Sequence, residues 1–225
     1  MIETRNLRKS FKNGIVETEI LKGIDFHVER GEFVAIMGRS GAGKSTFMYQ
    51  ISLLDEPTSG EIIINGGHYA AKMSNEEKTE FRLTRLGYVF QDYALIPELT
   101  ALENVALPLL MQDISEKDAY VKAGEALKRV GLAGHMYQLP SQLSGGEQQR
   151  VSISRAIAHT PDILFADEPT ANLDNESSKV VMNIFLDLHR AGQTIIMVTH
   201  EPEYGKMAQK IVRLDDGRIV DIVKN

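Results

Sequence analysis

The residues with the clearest chemical purpose lie in one glycine-rich stretch. Gly38-Arg39-Ser40-Gly41-Ala42-Gly43-Lys44-Ser45-Thr46 follows the pattern G-x-x-x-x-G-K-S/T without a gap. Its glycines let the backbone turn tightly and bring N–H groups within hydrogen-bonding distance of phosphate oxygens. A helix starting there presents its positive N-terminus to the same anion. Lys44 places a full charge between the β- and γ-phosphates, the Ser45 hydroxyl is a ligand for Mg²⁺, and Thr46 adds a contact to the α-phosphate. The stretch predicts a site for a nucleoside triphosphate with Mg²⁺.

A second segment supplies the acids such a site needs. Ile163-Leu164-Phe165-Ala166-Asp167-Glu168 puts two carboxylates at the carboxyl end of an apolar strand, where open α/β sheets bind ligands. Adjacent side chains on an extended strand point opposite ways, so the two acids take different roles. Asp167 is expected in the Mg²⁺ shell, while Glu168 faces the γ-phosphate and orients or deprotonates the attacking water.

Phosphate loops serve many unrelated enzymes, so these segments do not decide a function. The deciding stretch is Leu143-Ser144-Gly145-Gly146-Glu147-Gln148-Gln149-Arg150. A serine and two glycines ahead of a helix form another anion site, with N–H groups and the helix dipole aimed outward. With this stretch standing upstream of the acidic pair, the sequence resembles the ABC ATPase family, whose signature is Leu-Ser-Gly-Gly before a Gln-rich helix. The resemblance implies ATP as the nucleotide and its hydrolysis to ADP and phosphate. It also implies a homodimer on ATP binding, in which Ser144, Gly145, Gly146 and Glu147 of one copy cap the ATP held by residues 38–46 of the other. Glu147 stands where many members have Gln, an exchange that leaves the glycine donors intact.

Further positions match in the family's order. Gln91, after the strand-like residues 86–90, resembles the loop glutamine that touches Mg²⁺ and the attacking water. Asn172-Leu173-Asp174 resembles the loop that crosses the dimer interface. His200 resembles the switch histidine on the γ-phosphate, and Phe11 the upstream aromatic that stacks on adenine. The loop Gln91-Asp92-Tyr93-Ala94-Leu95-Ile96-Pro97-Glu98-Leu99-Thr100-Ala101-Leu102-Glu103-Asn104-Val105 looks like the subgroup of lipoprotein release, macrolide export and antimicrobial-peptide resistance. That likeness implies an integral membrane permease as partner, powered for export or mechanical work. It places the chain peripherally on the cytoplasmic face of the membrane through that permease.

Elements that would position these residues are legible in the hydrophobic pattern. Ile24, Phe26 and Val28 alternate with polar neighbours as in a half-buried strand, and residues 33–37 form an apolar run covered on both faces. Residues 44–54 have helical composition, and residues 61–64 read as a strand closed by Asn65-Gly66. Between 92 and 160 the spacing is helical, as in Leu102, Val105, Ala106 and Leu109, with Pro97, Pro108 and Pro140 as punctuation. Strand signals return at 163–166 and 194–199, around a helix at 176–190, and 211–214 and 218–223 flank Asp215-Asp216-Gly217 as a hairpin. Apolar strands alternating with helices predict an α/β fold with a mainly parallel sheet. The resemblance adds an N-terminal antiparallel β part. The expected division is an α/β core of 1–91 and 161–225 and an inserted helical subdomain of 92–160 carrying the signature.

Composition sets limits. The net charge of −6 argues against nucleic acid as a partner, and the absence of cysteine removes disulfides and thiolate metal sites. No apolar run approaches the roughly 18 residues that span a bilayer, which predicts no direct membrane insertion. Nor does the N-terminus show the basic-then-apolar run of a secretory signal. One alternative stays open, an ABC ATPase that regulates a membrane partner without moving cargo. A metabolite kinase would leave 143–148 unexplained, and a repair or translation ATPase would be expected to carry tandem domains or coiled coils.

Overall fold

In chain order the elements are β1 (Ile2–Asn13), β2 (Val16–Val28), β3 (Phe33–Met37), α1 (Lys44–Ile51), β4 (Ser59–Ile64), β5 (His68–Tyr69), α2 (Asn75–Arg85) and β6 (Leu86–Val89). They continue with α3 (Ala101–Leu110), α4 (Glu116–Arg129), α5 (Gly145–Ile157), β7 (Ile163–Asp167), α6 (Asn175–Arg190), β8 (Thr194–Val198), α7 (Pro202–Gly205), β9 (Lys210–Asp215) and β10 (Arg218–Lys224). The computed structural model describes residues 1–14 and 16–225. The chain divides into two compact units, one of Met1–Arg82 with Gly192–Asn225 and one of Leu83–Ala191.

The first unit holds an antiparallel sheet in the order β2-β1-β4-β5. Alternation decides its buried face: Ile24, Phe26 and Val28 are inside while Asp25 and His27 face water. Asn65 and Gly66 have φ of 52° and 70°, a left-handed pair, and with Gly67 they return the chain from β4 to β5. A second set of strands carries the phosphate loop. β3 runs parallel to β8 on one side and to β9 on the other, and β9 turns through Asp216 and Gly217 to pair antiparallel with β10. Phe33, Val34, Ala35 and Ile36 are wholly buried, as expected of a strand covered on both faces. Behind the loop, Phe47 of α1 meets Phe26 edge-on at 5.2 Å and 85°. Burying such a ring contributes about 1.5–3 kcal/mol.

The second unit pairs β6 with β7 in parallel, Leu86 opposite Ile163 and Val89 opposite Ala166. Helices α3, α4 and α5 pack on one another, and α5 also lies against β6 and α6. Their inward faces are apolar: Val105 and Leu109, Ala119 and Leu127, Val151 and Ile153. Four helices here start on a side-chain cap followed by an acid: Thr100 before α3, Ser115 before α4, Ser144 before α5 and Asp174 before α6.

Two expectations need correction, and one helix is unexpected. Pro108 does not punctuate; α3 runs through it to Leu110, so close to its end that little helix remains beyond the kink-prone residue. The helix expected over 44–54 stops at Ile51, and Leu53 takes a left-handed φ of 60°. Helix α2 was not visible in the pattern, because it buries Phe81 alone. Among the described residues no helix is long and apolar enough to cross a membrane.

Candidate functional site

In the first unit the candidate residues converge at one strand edge. The parallel register sets Ile36 beside Val198, and Thr199 N donates to Ile36 O at 3.1 Å. Gly38 therefore leaves β3, and the exposed His200 leaves β8, at the same carboxyl edge. Between Gly38 and Lys44 the chain doubles back, with Ala42 N donating to Arg39 O at 3.2 Å. Lys44 Nζ donates to that same carbonyl at 3.1 Å, and its side chain is buried against the loop. Gly43 is the cap of α1 with φ 95°, and a Cβ there would stand 3.1 Å from Leu21 Cδ2. No other residue type fits that bend without strain.

What distinguishes α1 is its N-terminus. It has no side-chain cap and no acid in its first turn, unlike α3, α4, α5 and α6. Such a helix start presents its positive end to an anion, and Ser45 and Thr46 in its first turn are half-exposed. Phe11 is exposed on β1, and the Lys9 ammonium lies 5.0 Å from its ring centroid.

In the second unit a different edge carries the acids. β7 ends at Asp167, which is buried, and Glu168 follows with a left-handed φ of 45°. A non-glycine residue held there is strained, which is common at functional positions. Gln91 emerges two residues beyond Val89, at the same carboxyl edge of β6. Its carbonyl accepts from Asn172 Nδ2 at 3.2 Å, and that amide also donates to Asp92 Oδ1 at 3.0 Å. Asn172-Leu173-Asp174 is thereby tied to the Gln91 loop. Asp174 itself caps α6, accepting from Glu176 N and Ser177 N at 2.9 Å, and from Ser177 Oγ at 2.8 Å. The Ser177 backbone bond, foremost among these, holds its carboxyl below the usual range.

Ser144 is exposed and opens α5, and Glu147 reaches back to it. Backbone and hydroxyl donation from Ser144, in that order, lower the Glu147 pKa, with His135 Nε2 3.2 Å away as a smaller influence. The signature glycines have neighbours within their own unit. A Cβ on Gly145 would come 2.9 Å from the Tyr93 hydroxyl, and one on Gly146 would come 2.7 Å from Ser177 Oγ. Sequence reasoning quotes Tyr93 and Gln149 only within longer stretches, with no role of their own, and does not single out Arg155. Gln149 Nε2 donates to Pro169 O at 2.8 Å, fixing α5 to the segment after Glu168. Nothing in the local pattern announces these ties, because their partners lie 20 to 62 positions away.

Comparison with known proteins decides the family. A family described as "ABC transporter" matches residues 21–171. The chain belongs to the ABC transporter family. An uncharacterized ABC transporter ATP-binding protein of Methanocaldococcus jannaschii is 48% identical over 99% of both chains. The lipoprotein-releasing system ATP-binding protein LolD of Aquifex aeolicus is 44% identical, over 98% of this chain and 96% of that one. Among solved structures, the ATP-binding cassette MJ0796, in a dimeric post-hydrolysis state bound to ADP and Pi, matches with a TM-score of 0.92. It is 38% identical, with 100% of this chain and 98% of that one covered. This ABC cassette is an ATPase with the mixed α/β fold of the family: a mainly parallel arrangement, an N-terminal antiparallel sheet, and helices.

Proposed function

We propose that two copies of this ABC ATPase clamp two MgATP molecules between them and, on hydrolysis, drive a separate membrane permease of the lipoprotein-release and macrolide-export type. The observation that carries the reading is the contrast between helix starts: α1 is uncapped and free of acids beside Lys44, while α5 opens on the exposed Ser144. The first receives phosphate from within the chain. The second faces outward and completes the site of the other copy.

Each candidate residue then has a role. Gly38, Arg39, Ser40, Gly41, Ala42 and Gly43 wrap the phosphates with backbone N–H groups, and Lys44 bridges the β- and γ-phosphates. Thr46 touches the α-phosphate, and Phe11 stacks on adenine. From the partner copy, Ser144, Gly145, Gly146 and Glu147 close on the γ-phosphate, with Asp174 beside them at the interface.

Mg²⁺ fits the donors available. Among the described residues no cluster of three or more His, Cys, Asp or Glu forms a metal cage. Mg²⁺ instead favours one or two protein oxygens together with phosphate oxygens and water. The Ser45 hydroxyl, the Gln91 side-chain oxygen and the Asp167 carboxylate are such donors. Held by these donors, Mg²⁺ would supply positive charge to offset the negative charge developing on the phosphates.

Hydrolysis needs one water. Gln91 orients it and Glu168 accepts its proton as its oxygen attacks the γ-phosphorus. The bond from that phosphorus to the β–γ bridging oxygen breaks, leaving ADP and phosphate, while His200 hydrogen-bonds the transferring group. Loss of the γ-phosphate removes the link between the copies. Residues 92–160 carry that opening to the permease at the cytoplasmic face of the membrane.

Glu168→Gln is the test. It keeps the oxygen donors for binding and loses the base, so size-exclusion chromatography with MgATP is expected to show a species of about twice 25.1 kDa. A variant that binds ATP and stays monomeric refutes the clamp.

A further inference from the structure

Arg155 lies in the last turn of α5, within the second unit. Its guanidinium turns inward and donates through one terminal nitrogen to Ala94 O at 2.5 Å and through the other to Tyr93 O at 2.9 Å. Among the described residues it has no carboxylate partner. Burial lowers its pKa, the direction expected when nothing anionic offsets the lost water. A half-buried cation held by neutral carbonyls does little for stability, since an apolar residue of similar size would avoid the desolvation.

The carbonyls it holds are unusual. Tyr93 and Ala94 both adopt left-handed backbone, with φ of 59° and 50°, although neither is glycine. Ala94 N donates to Asp92 O at 2.5 Å, closing a three-residue turn with positive φ at its centre, a rare and strained form. Strain of this kind persists where surrounding contacts over-determine it. Here the contacts come from two directions: Arg155 grips residues 93 and 94, and the Asn172 amide grips Gln91 O and Asp92 Oδ1. The turn starts at the residue after Gln91.

We infer that Arg155 is a positioning residue for ATP hydrolysis: its forked grip on Tyr93 O and Ala94 O holds the strained turn that presents Gln91. This rests on the proposed contact of Gln91 with the attacking water. A guanidinium suits the task because its planar fork reaches two carbonyls at once, which a lysine ammonium on a single stem does not reproduce.

The test is a double-mutant cycle on the full chain with MgATP, using Arg155→Lys, Gln91→Ala and both together. Steady-state hydrolysis, ATP affinity by titration and the melting temperature are read for each. Arg155→Lys is expected to lower kcat about tenfold, with ATP affinity within about twofold and melting nearly unchanged. In the double variant kcat is expected to match Gln91→Ala alone, because both changes disable one device. Multiplying losses would overturn the inference, as would a wild-type kcat for Arg155→Lys. If Gln91→Ala itself hydrolyses normally, the role given to Gln91 fails and the inference with it. Arg155→Met, which fills the volume without charge, gives the same comparison should the lysine variant melt early.

Discussion

The Ser144 hydroxyl donates to Glu147 Oε2 at 2.8 Å, and the Ser144 N–H donates to that same oxygen at 2.8 Å. In return Glu147 N donates to Ser144 Oγ at 3.4 Å. The serine proton that would serve a partner's γ-phosphate is therefore occupied by a carboxylate within its own chain. A charge-assisted bond of this kind is roughly twice as strong as a neutral one. Exchange to Gln keeps the reciprocal capping geometry and removes the charge. Glu147→Gln, placed in a Glu168→Gln background, is expected to lower the ATP concentration for half-maximal dimerisation by about three- to tenfold, where tenfold corresponds to about 1.4 kcal/mol. Sedimentation across an ATP titration measures it. An unchanged or raised midpoint would show that the serine is not restrained by this contact.

The Asp174 cap has a pH signature. Its carboxyl is held below the ordinary value by bonds from Ser177 and Glu176. Because the folded-state pKa is the lower one, the cap's stabilisation is complete above the unfolded value of about 3.9. It is lost as pH falls through the folded value. Asp174→Ala is thus expected to melt earlier than the parent at pH 7, with the gap narrowing as pH drops below 4. Parallel melting curves from pH 7 to pH 3 decide it; a gap of constant size would mean that charge plays no part.

The signature glycine Gly146 can be set against a control glycine outside the signature, Gly134. A methyl on Gly146 would collide with Ser177 Oγ and Cβ at 2.7 and 2.8 Å, whereas one on Gly134 would meet nothing within 4 Å. Overpacking at such a contact costs about 1–3 kcal/mol. Gly146→Ala should lose that much in urea unfolding, and Gly134→Ala should stay within about 0.5 kcal/mol. Equal behaviour of the two would make phosphate access, rather than contact with α6, the reason for glycine at 146.

How much of this was legible follows from where each residue's partners lie. The loop 38–46, the run 33–37, the Asn65-Gly66 turn and the Asp215-Asp216-Gly217 hairpin are local devices, and local chemistry displays them. Helix α2 is polar nearly all round, so periodicity could not reveal it. Its start was nevertheless written in Ser74 and Glu77, which bond reciprocally as a capping box, Ser74 N to Glu77 Oε2 at 2.7 Å and Glu77 N to Ser74 Oγ at 3.1 Å. In sequence Arg155 has nothing that sets it apart from other helix arginines. Its meaning depends on two carbonyls 61 and 62 positions upstream, in a backbone conformation that alanine and tyrosine do not advertise. Asn172 resembles part of an interface loop in sequence, and in the structure its amide donates to Gln91 O and Asp92 Oδ1. Tertiary ties of this kind leave no local pattern to read.

The uncapped start of α1 makes the final prediction. If Lys44 and the first-turn N–H groups supply most of the affinity, the phosphates must contribute more than the base, since Phe11 offers only a ring face. Ligand that binds the native state stabilises it by about 2.7 kcal/mol at a hundredfold excess over Kd. MgATP and MgADP are expected to raise the melting temperature of the Glu168→Gln protein clearly, AMP hardly at all. Lys44→Ala should abolish the shift while melting normally without nucleotide, because the bond from Lys44 Nζ to Arg39 O lies within the phosphate loop itself. Should AMP stabilise the chain as well as ATP does, the base rather than the phosphate cradle would be the main anchor, and the role assigned to the start of α1 would fall.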